Sequence, residues 1–138
     1  MSKSSDERET PNDLFIPLFR EFHFERDLAA SDELHKLTTY YTKENSAFKY
    51  QWTGSNFCNP PYSDIKPWLR YATQQKALVV FILPCDTSTQ WFHKYLWDKI
   101  NHKPRTNVQL RFPEGRYKFS NTNSPKFATI IAIIDNRV

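Results

Sequence analysis

Ala77-Leu78-Val79-Val80-Phe81-Ile82-Leu83, stopped by Pro84, is the stretch on which the fold turns. An apolar run this short falls below the roughly ten residues of a typical buried helix, and it is rich in β-formers. A strand that is apolar on both faces needs cover on both faces. That is the pattern of a central strand in a parallel sheet with helices above and below.

Other segments follow outward from it. Downstream, Trp91, Phe92, Tyr95, Leu96 and Ile100 recur at helical spacing and predict a helix from Ser88 to Ile100. Val108, Leu110 and Phe112 alternate with polar residues and predict a strand. Ala128 to Ile134 reads as another apolar strand. Upstream, Ser63 or Asp64 opens a helix with Ile65, Trp68, Leu69 and Ala72 on one side. Pro67 falls in its first turn, where a missing N–H does no harm. Ser55 to Cys58 predicts a brief strand, Thr38 to Thr42 another, and Ala29 to Leu37 a helix or a turn of one. Phe22 to Leu28 predicts a short first strand. Before it, Thr10-Pro11 opens a helix: threonine caps, proline suits the first helical position, and Asp13 favours the helix dipole. Leu14, Phe15, Leu18, Phe19 and Phe22 form its apolar stripe. Residues 1–9 are polar after Met1 and are expected to form a disordered lead to a folded domain over 10–138.

Strands alternating with helices predict an α/β layered domain with a mostly parallel central sheet flanked by helices. Such sheets hold ligands in the crevice beyond the carboxyl ends of their strands. Asp27, at the end of the first predicted strand, and Asn59, after a later one, both fall at such ends.

Composition bounds the chemistry. The 138 residues suit one domain, with no internal repeat. Glycine occurs only at Gly54 and Gly115, against nine prolines, which excludes a glycine-rich dinucleotide fingerprint or phosphate loop. The apolar runs are too short to span a bilayer, and the opening MSKSSDERET lacks the apolar core of a secretory signal. Cys58 and Cys85 have no C-x-x-C spacing and read as reduced packing residues in a cytoplasmic protein. His23, His35 and His102 show no metal-binding spacing with them, so no metal is expected. Net charge is +4 but uneven: residues 94–126 carry eight basic and two acidic groups, leaving the remainder at −2. A basic segment in an acidic chain suits a phosphate-binding face, although charge alone equally fits a solvated surface.

Asn59-Pro60-Pro61-Tyr62 is the tetrapeptide with chemical content. Two prolines remove two backbone donors and stiffen the turn, and each pushes the preceding residue toward extended backbone. The Pro60 carbonyl is therefore rigidly aimed, and the Asn59 side chain adds a second acceptor. Two converging acceptors can hold a planar –NH2 group and draw its nitrogen toward tetrahedral geometry, freeing the lone pair. Tyr62 offers a face on which a base can stack. A proline-rich structural loop with a packed tyrosine is the competing reading.

In its ordered motifs the chain resembles the phage-type DNA N-6-adenine methyltransferases. These are Thr10-Pro11 with Leu14-Phe15, Asp27-Leu28-Ala29-Ala30-Ser31, Tyr40-Tyr41-Thr42, Phe57 through Ser63, Pro67-Trp68, Leu83-Pro84, Trp91-Phe92-His93 and Gly115-Arg116. The resemblance implies a single Rossmann-like methyltransferase domain of reduced size. It also implies methyl transfer from S-adenosylmethionine to the exocyclic amine of adenine in double-stranded DNA, with the adenine flipped out. By the same resemblance Asn59, Pro60, Pro61 and Tyr62 form the catalytic turn. Asp27, Ala29, Thr10 and Pro11 bind the cofactor, and Arg116 and Lys118 contact DNA phosphates. The Ala29-Ala30-Ser31 stretch stands where methyltransferases usually carry glycines, and Arg26 before Asp27 is atypical. A cofactor without phosphate needs no nest of backbone N–H groups, so two glycines are compatible with it.

The tetrapeptide alone also fits an amino methyltransferase acting on RNA or on protein glutamine, and the basic segment favours nucleic acid. A non-catalytic nucleic-acid-binding relic is the reading from another class. So short a chain leaves little for target recognition, which points to loose sequence preference or to a partner, either a second copy or a specificity subunit. The phage resemblance places the protein in a bacterial cytoplasm.

Overall fold

The computed structural model describes residues 9–117 and 127–138. The chain begins with α1 (Asn12–Phe22), followed by β1 (Arg26–Asp27), β2 (Gly54–Cys58), α2 (Lys66–Thr73) and β3 (Ala77–Pro84). A π-helical turn (Phe92–Leu96) leads to the short strands β4 (Trp97–Asp98) and β5 (Lys103–Pro104), then β6 (Val108–Arg111) and β7 (Thr129–Asp135). Among the described residues the main sheet has five strands in the order β1-β2-β3-β7-β6. The predicted lead falls almost wholly on residues 1–8, outside the described residues.

The apolar run over residues 77–83 is the central strand. All of β3 is buried. Its alternate side chains serve two cores. Ala77, Val79, Phe81 and Leu83 join Ile130, Ala132 and Ile134 beneath α2 and the π turn. Leu78, Val80 and Ile82 join Ile131, Ile133 and Phe57 beneath Leu14, Phe15 and Leu18 of α1. The molecule is thus three layers, with helix on both faces of the sheet.

The sheet is mixed, which corrects the expectation of a mostly parallel one. β1, β2 and β3 are parallel. β7 lies antiparallel to both β3 and β6. An apolar run covered on both faces reads alike in either chain direction, so burial predicts that Ile130–Ile134 is central but says nothing about its sense. The crossover between parallel β2 and β3 carries α2, whereas that between β1 and β2 is turns with one short 3-10 turn, Ala47–Lys49.

Three predicted elements differ. The helix expected to reach Ile100 ends at the π turn, because the chain becomes extended at Trp97 and pairs with Pro104. Asp98 Oδ1 accepts from the N–H groups of Ile100 (3.0 Å) and Asn101 (3.1 Å), closing a tight turn that leaves Ile100 exposed. Residues 29–37 form turns rather than a helix; Ser31 Oγ accepts from Leu34 N–H at 3.0 Å. Residues 38–42 make only an isolated parallel bridge, Tyr40 to Asp27, along the β1 edge. No helix among the described residues is long and apolar enough to cross a membrane.

Candidate active site

Strand register places the two key polar residues side by side. Asp27 ends β1 opposite Phe57 of β2, and Leu28 N–H continues the ladder to the Phe57 carbonyl at 2.9 Å. Asn59 follows two residues after Phe57, so Asp27 and Asn59 emerge together at the carboxyl ends of neighbouring parallel strands. Thr10 arrives from far along the chain: Asn59 Nδ2 donates to Thr10 Oγ1 at 3.0 Å. Thr10, Asp27, Ala29 and Asn59 all wall one open cleft with about 250 Å³ of empty space.

The carboxyl of Asp27 is an energetic anomaly. The residue is only 3% exposed. Oδ2 accepts the Lys36 N–H at 2.9 Å, while the buried Oδ1 has no hydrogen-bond partner among the described residues. Burial pushes its pKa up to about 6, against the backbone N–H groups of Lys36 and Ala29 and the charges of His35 and Lys36, which pull it down. A buried acceptor without a donor is costly, and here it belongs to a group walling a cleft. Cys58 lies close enough to feel this carboxylate. Complete burial, and then the Asp27 charge, raise its thiol well above the usual range, so it stays a neutral packing group.

The remaining residues of the turn stand apart from the cleft wall. Pro60 is buried and Pro61 half-buried. The Pro61 carbonyl accepts from Asp64 N–H at 3.0 Å, closing the turn before α2. Tyr62 is half-buried and packs against the core beneath α2. Pro11 does not wall the cleft either; it caps α1, its carbonyl accepting from Leu14 (3.1 Å) and Phe15 (3.0 Å).

The basic segment is divided by the fold. The β4–β5 hairpin joins β6 at Val108, which lies level with Val79 near the amino end of β3, opposite to the cleft. Arg105 there is tied to the His93 carbonyl through Nη2 at 2.7 Å. Arg111 pairs with Glu21 of α1 in bidentate fashion, at 2.7 and 2.6 Å. Arg116 is exposed and follows Gly115, whose φ of +76° suits glycine. It lies just beyond the carboxyl end of β6, at the same end of the sheet as Asn59. Lys118 lies outside the described residues.

Sequence reasoning missed Lys36 and His35, which line the cleft. They sit in the stretch expected to be helical, and no spacing marks them. His35 stacks on Tyr40 with ring centroids 4.0 Å apart and planes 7° apart. Arg26, atypical by resemblance, has a structural role: it donates to the Thr53 carbonyl at 2.7 Å and pairs with Glu25 at 3.5 Å. Among the described residues no group of three His, Cys, Asp or Glu side chains could hold a metal ion.

Comparison with known proteins fits this geometry. The chain is 30% identical over 107 residues to a DNA N-6-adenine-methyltransferase of Haemophilus phage HP1, covering 67% of this chain and 61% of that one. It is 33% identical over 75 residues to a DNA N-6-adenine-methyltransferase of Escherichia phage T1, covering 50% of this chain and 31% of that one. The chain thus spans less than two thirds of the length of these relatives. No solved structure matches it. A family model described as DNA N-6-adenine-methyltransferase (Dam) matches residues 1–134, so the chain belongs to that family.

Proposed function

We propose that the protein transfers a methyl group from S-adenosylmethionine to the N6 amine of adenine in DNA, on a Rossmann-like domain. The observation that carries this reading, beside family membership, is the convergence of Asp27 and Asn59 on one cleft at the carboxyl ends of β1 and β2. That is where open α/β sheets bind their ligands. The parallel strands β1, β2 and β3, with helix on both faces, support the Rossmann-like assignment.

The residues present fit the cofactor. S-adenosylmethionine carries an ammonium group and ribose hydroxyls, all hydrogen-bond donors. Among the described residues the buried Asp27 Oδ1 finds no donor at the cleft wall. At neutral pH this carboxyl is mostly ionised, which suits a cationic partner. The cleft is small and partly open to solvent, so it takes one end of the cofactor. Ala29 on the same wall has a side chain small enough for close approach. When bound, the cofactor supplies an electrophilic methyl group on a sulfonium centre.

Asn59 and the Pro60 carbonyl accept hydrogen bonds from the adenine amine and orient its lone pair. Proline at 61 keeps a competing N–H away from the Pro60 carbonyl. Tyr62 stacks on the extruded base, and Arg116, with Lys118, grips phosphate. Catalysis is positioning and electrostatics, with no side-chain nucleophile, and proximity alone contributes roughly 7–11 kcal/mol.

The test is incubation with tritiated S-adenosylmethionine and, in parallel, unmethylated DNA, RNA and a glutamine-bearing protein. Label in DNA for the wild type, and not for Asn59→Ala, is expected. Label in RNA or protein instead would reassign the substrate, and no label with no cofactor binding would overturn the enzyme reading.

A further inference from the structure

Thr10, expected from the sequence to touch the cofactor, also engages the catalytic turn. Its hydroxyl accepts the Asn59 side-chain N–H at 3.0 Å across 49 positions of chain. Both residues are buried, Thr10 at 2% and Asn59 at 8% exposure. In such surroundings a hydrogen bond is stronger and better oriented than at a wet surface. We propose that Thr10 is a positioning residue for the reaction: it fixes the rotation of the Asn59 carboxamide, presenting its oxygen rather than its NH2 to the adenine amine. The inference rests on the methyltransferase reading above.

The logic is one of donors and acceptors. A carboxamide has an accepting end and a donating end of nearly equal shape. Only the accepting end can hold an amine; the donating end would set N–H against N–H. Thr10 Oγ1 takes the Nδ2 donor, so Oδ1 lies on the opposite side of the carboxamide. Thr10 is itself held in place by the fold. Pro11 caps α1 directly after it. Phe15 on the first turns of α1 packs edge-on against Phe57, with centroids 4.9 Å apart and planes at 87°. Phe57 stands two residues before Asn59 on the same strand end. The amino end of α1 and the carboxyl end of β2 are thus clamped together, and the Thr10–Asn59 bond lies at the clamp.

Thr10→Val keeps the shape and removes the acceptor; Thr10→Ser keeps the acceptor. Turnover of Thr10→Val is expected to fall about 10- to 100-fold, with the dissociation constant for S-adenosylmethionine, read by calorimetry, changed less than about threefold. Thr10→Ser should recover most of the turnover. In 15N-labelled protein the Asn59 side-chain amide signals should shift and exchange faster in Thr10→Val, and return toward wild type in Thr10→Ser. Unchanged turnover in Thr10→Val would overturn the proposal. So would a weakened cofactor constant with full turnover at saturation, which would return Thr10 to the cofactor site. If wild type binds cofactor but methylates nothing, the catalytic reading fails. The amide signals then still decide whether Thr10 holds Asn59, and unshifted signals overturn that too.

Discussion

In the proposed reading, Asp27 sets cofactor binding against stability. Its ordinary pKa of 3.8 rises to about 6 in the folded chain, chiefly by burial. The folded state therefore binds this proton more tightly than the unfolded state. Below pH 3.8 both states are protonated and the residue is neutral in the balance. As pH rises from 3.8 to 6 stability falls, and above 6 the whole penalty, on the order of 3 kcal/mol, is present. Asp27→Asn should accordingly raise the urea midpoint at pH 7.5 and leave it nearly unchanged at pH 4. The same variant should weaken S-adenosylmethionine binding about 10- to 100-fold through loss of a charge-assisted hydrogen bond. For wild type, calorimetry at pH 5 should show binding about tenfold weaker than at pH 7, because most Asp27 is then protonated. Equal affinity at both values would remove Asp27 from the cofactor's charged end.

Strands and helices carry the next set of constraints. Gly54 opens β2 at a φ of +65°, and an added Cβ would stand 2.5 Å from a Glu25 carboxylate oxygen. Glu25 is exposed and can move aside, but the backbone cannot, so Gly54→Ala should cost about 1–2 kcal/mol in urea unfolding with an unchanged slope. The Glu21–Arg111 pair joins α1 to β6, yet both side chains are over a third exposed or nearly so, at 45% and 35%. Glu21→Gln should therefore shift stability by less than about 1 kcal/mol. The elements readable from sequence were those with dense apolar patterning: α1, β2, α2, β3 and β7 fall close to where Leu14-Phe15, Phe57-Cys58, Trp68-Leu69 and the two apolar runs predict them. The region 88–100 was misread because Ile100 continues the helical spacing of Trp91, Phe92, Tyr95 and Leu96. The turn centred on Asp98 overrides it, and that choice depends on pairing with Lys103 and Pro104. The direction of β7 was not readable, since burial on both faces carries no sign. At the site, Asn59 and Asp27 were found because each stands at the carboxyl end of a strand. Lys36 and His35 were not, because they reach the cleft through irregular turns held by hydrogen bonds to Asp27 and by the Tyr40 ring.

The molecule as a whole presents one working end. The carboxyl ends of β1, β2, β3 and β6 all face it, with Asp27, Asn59 and Arg116 among the residues that follow them. The β4–β5 hairpin joins the sheet at the far end, so the basic composition of residues 94–126 overstates the charge available to one face of the molecule. Arg116→Ala should weaken DNA binding and lower the slope of log affinity against log salt by about 1. An unchanged slope would take Arg116 off the phosphate face. The glycine shortage also fits the proposed site at this level, because a cofactor cleft walled by Asp27 and Ala29 would rely on side chains rather than on a glycine cradle. The decisive experiment supplies S-adenosylmethionine bearing a deuterated methyl group to wild type and Asn59→Ala with unmethylated DNA, then digests the DNA to nucleosides for mass spectrometry. Deuteromethyl on N6 of deoxyadenosine with wild type, absent with an Asn59→Ala protein that still binds the cofactor, is the predicted result. A wild type that binds cofactor and DNA yet leaves adenine unlabelled, or an Asn59→Ala variant that labels it as well, would contradict it.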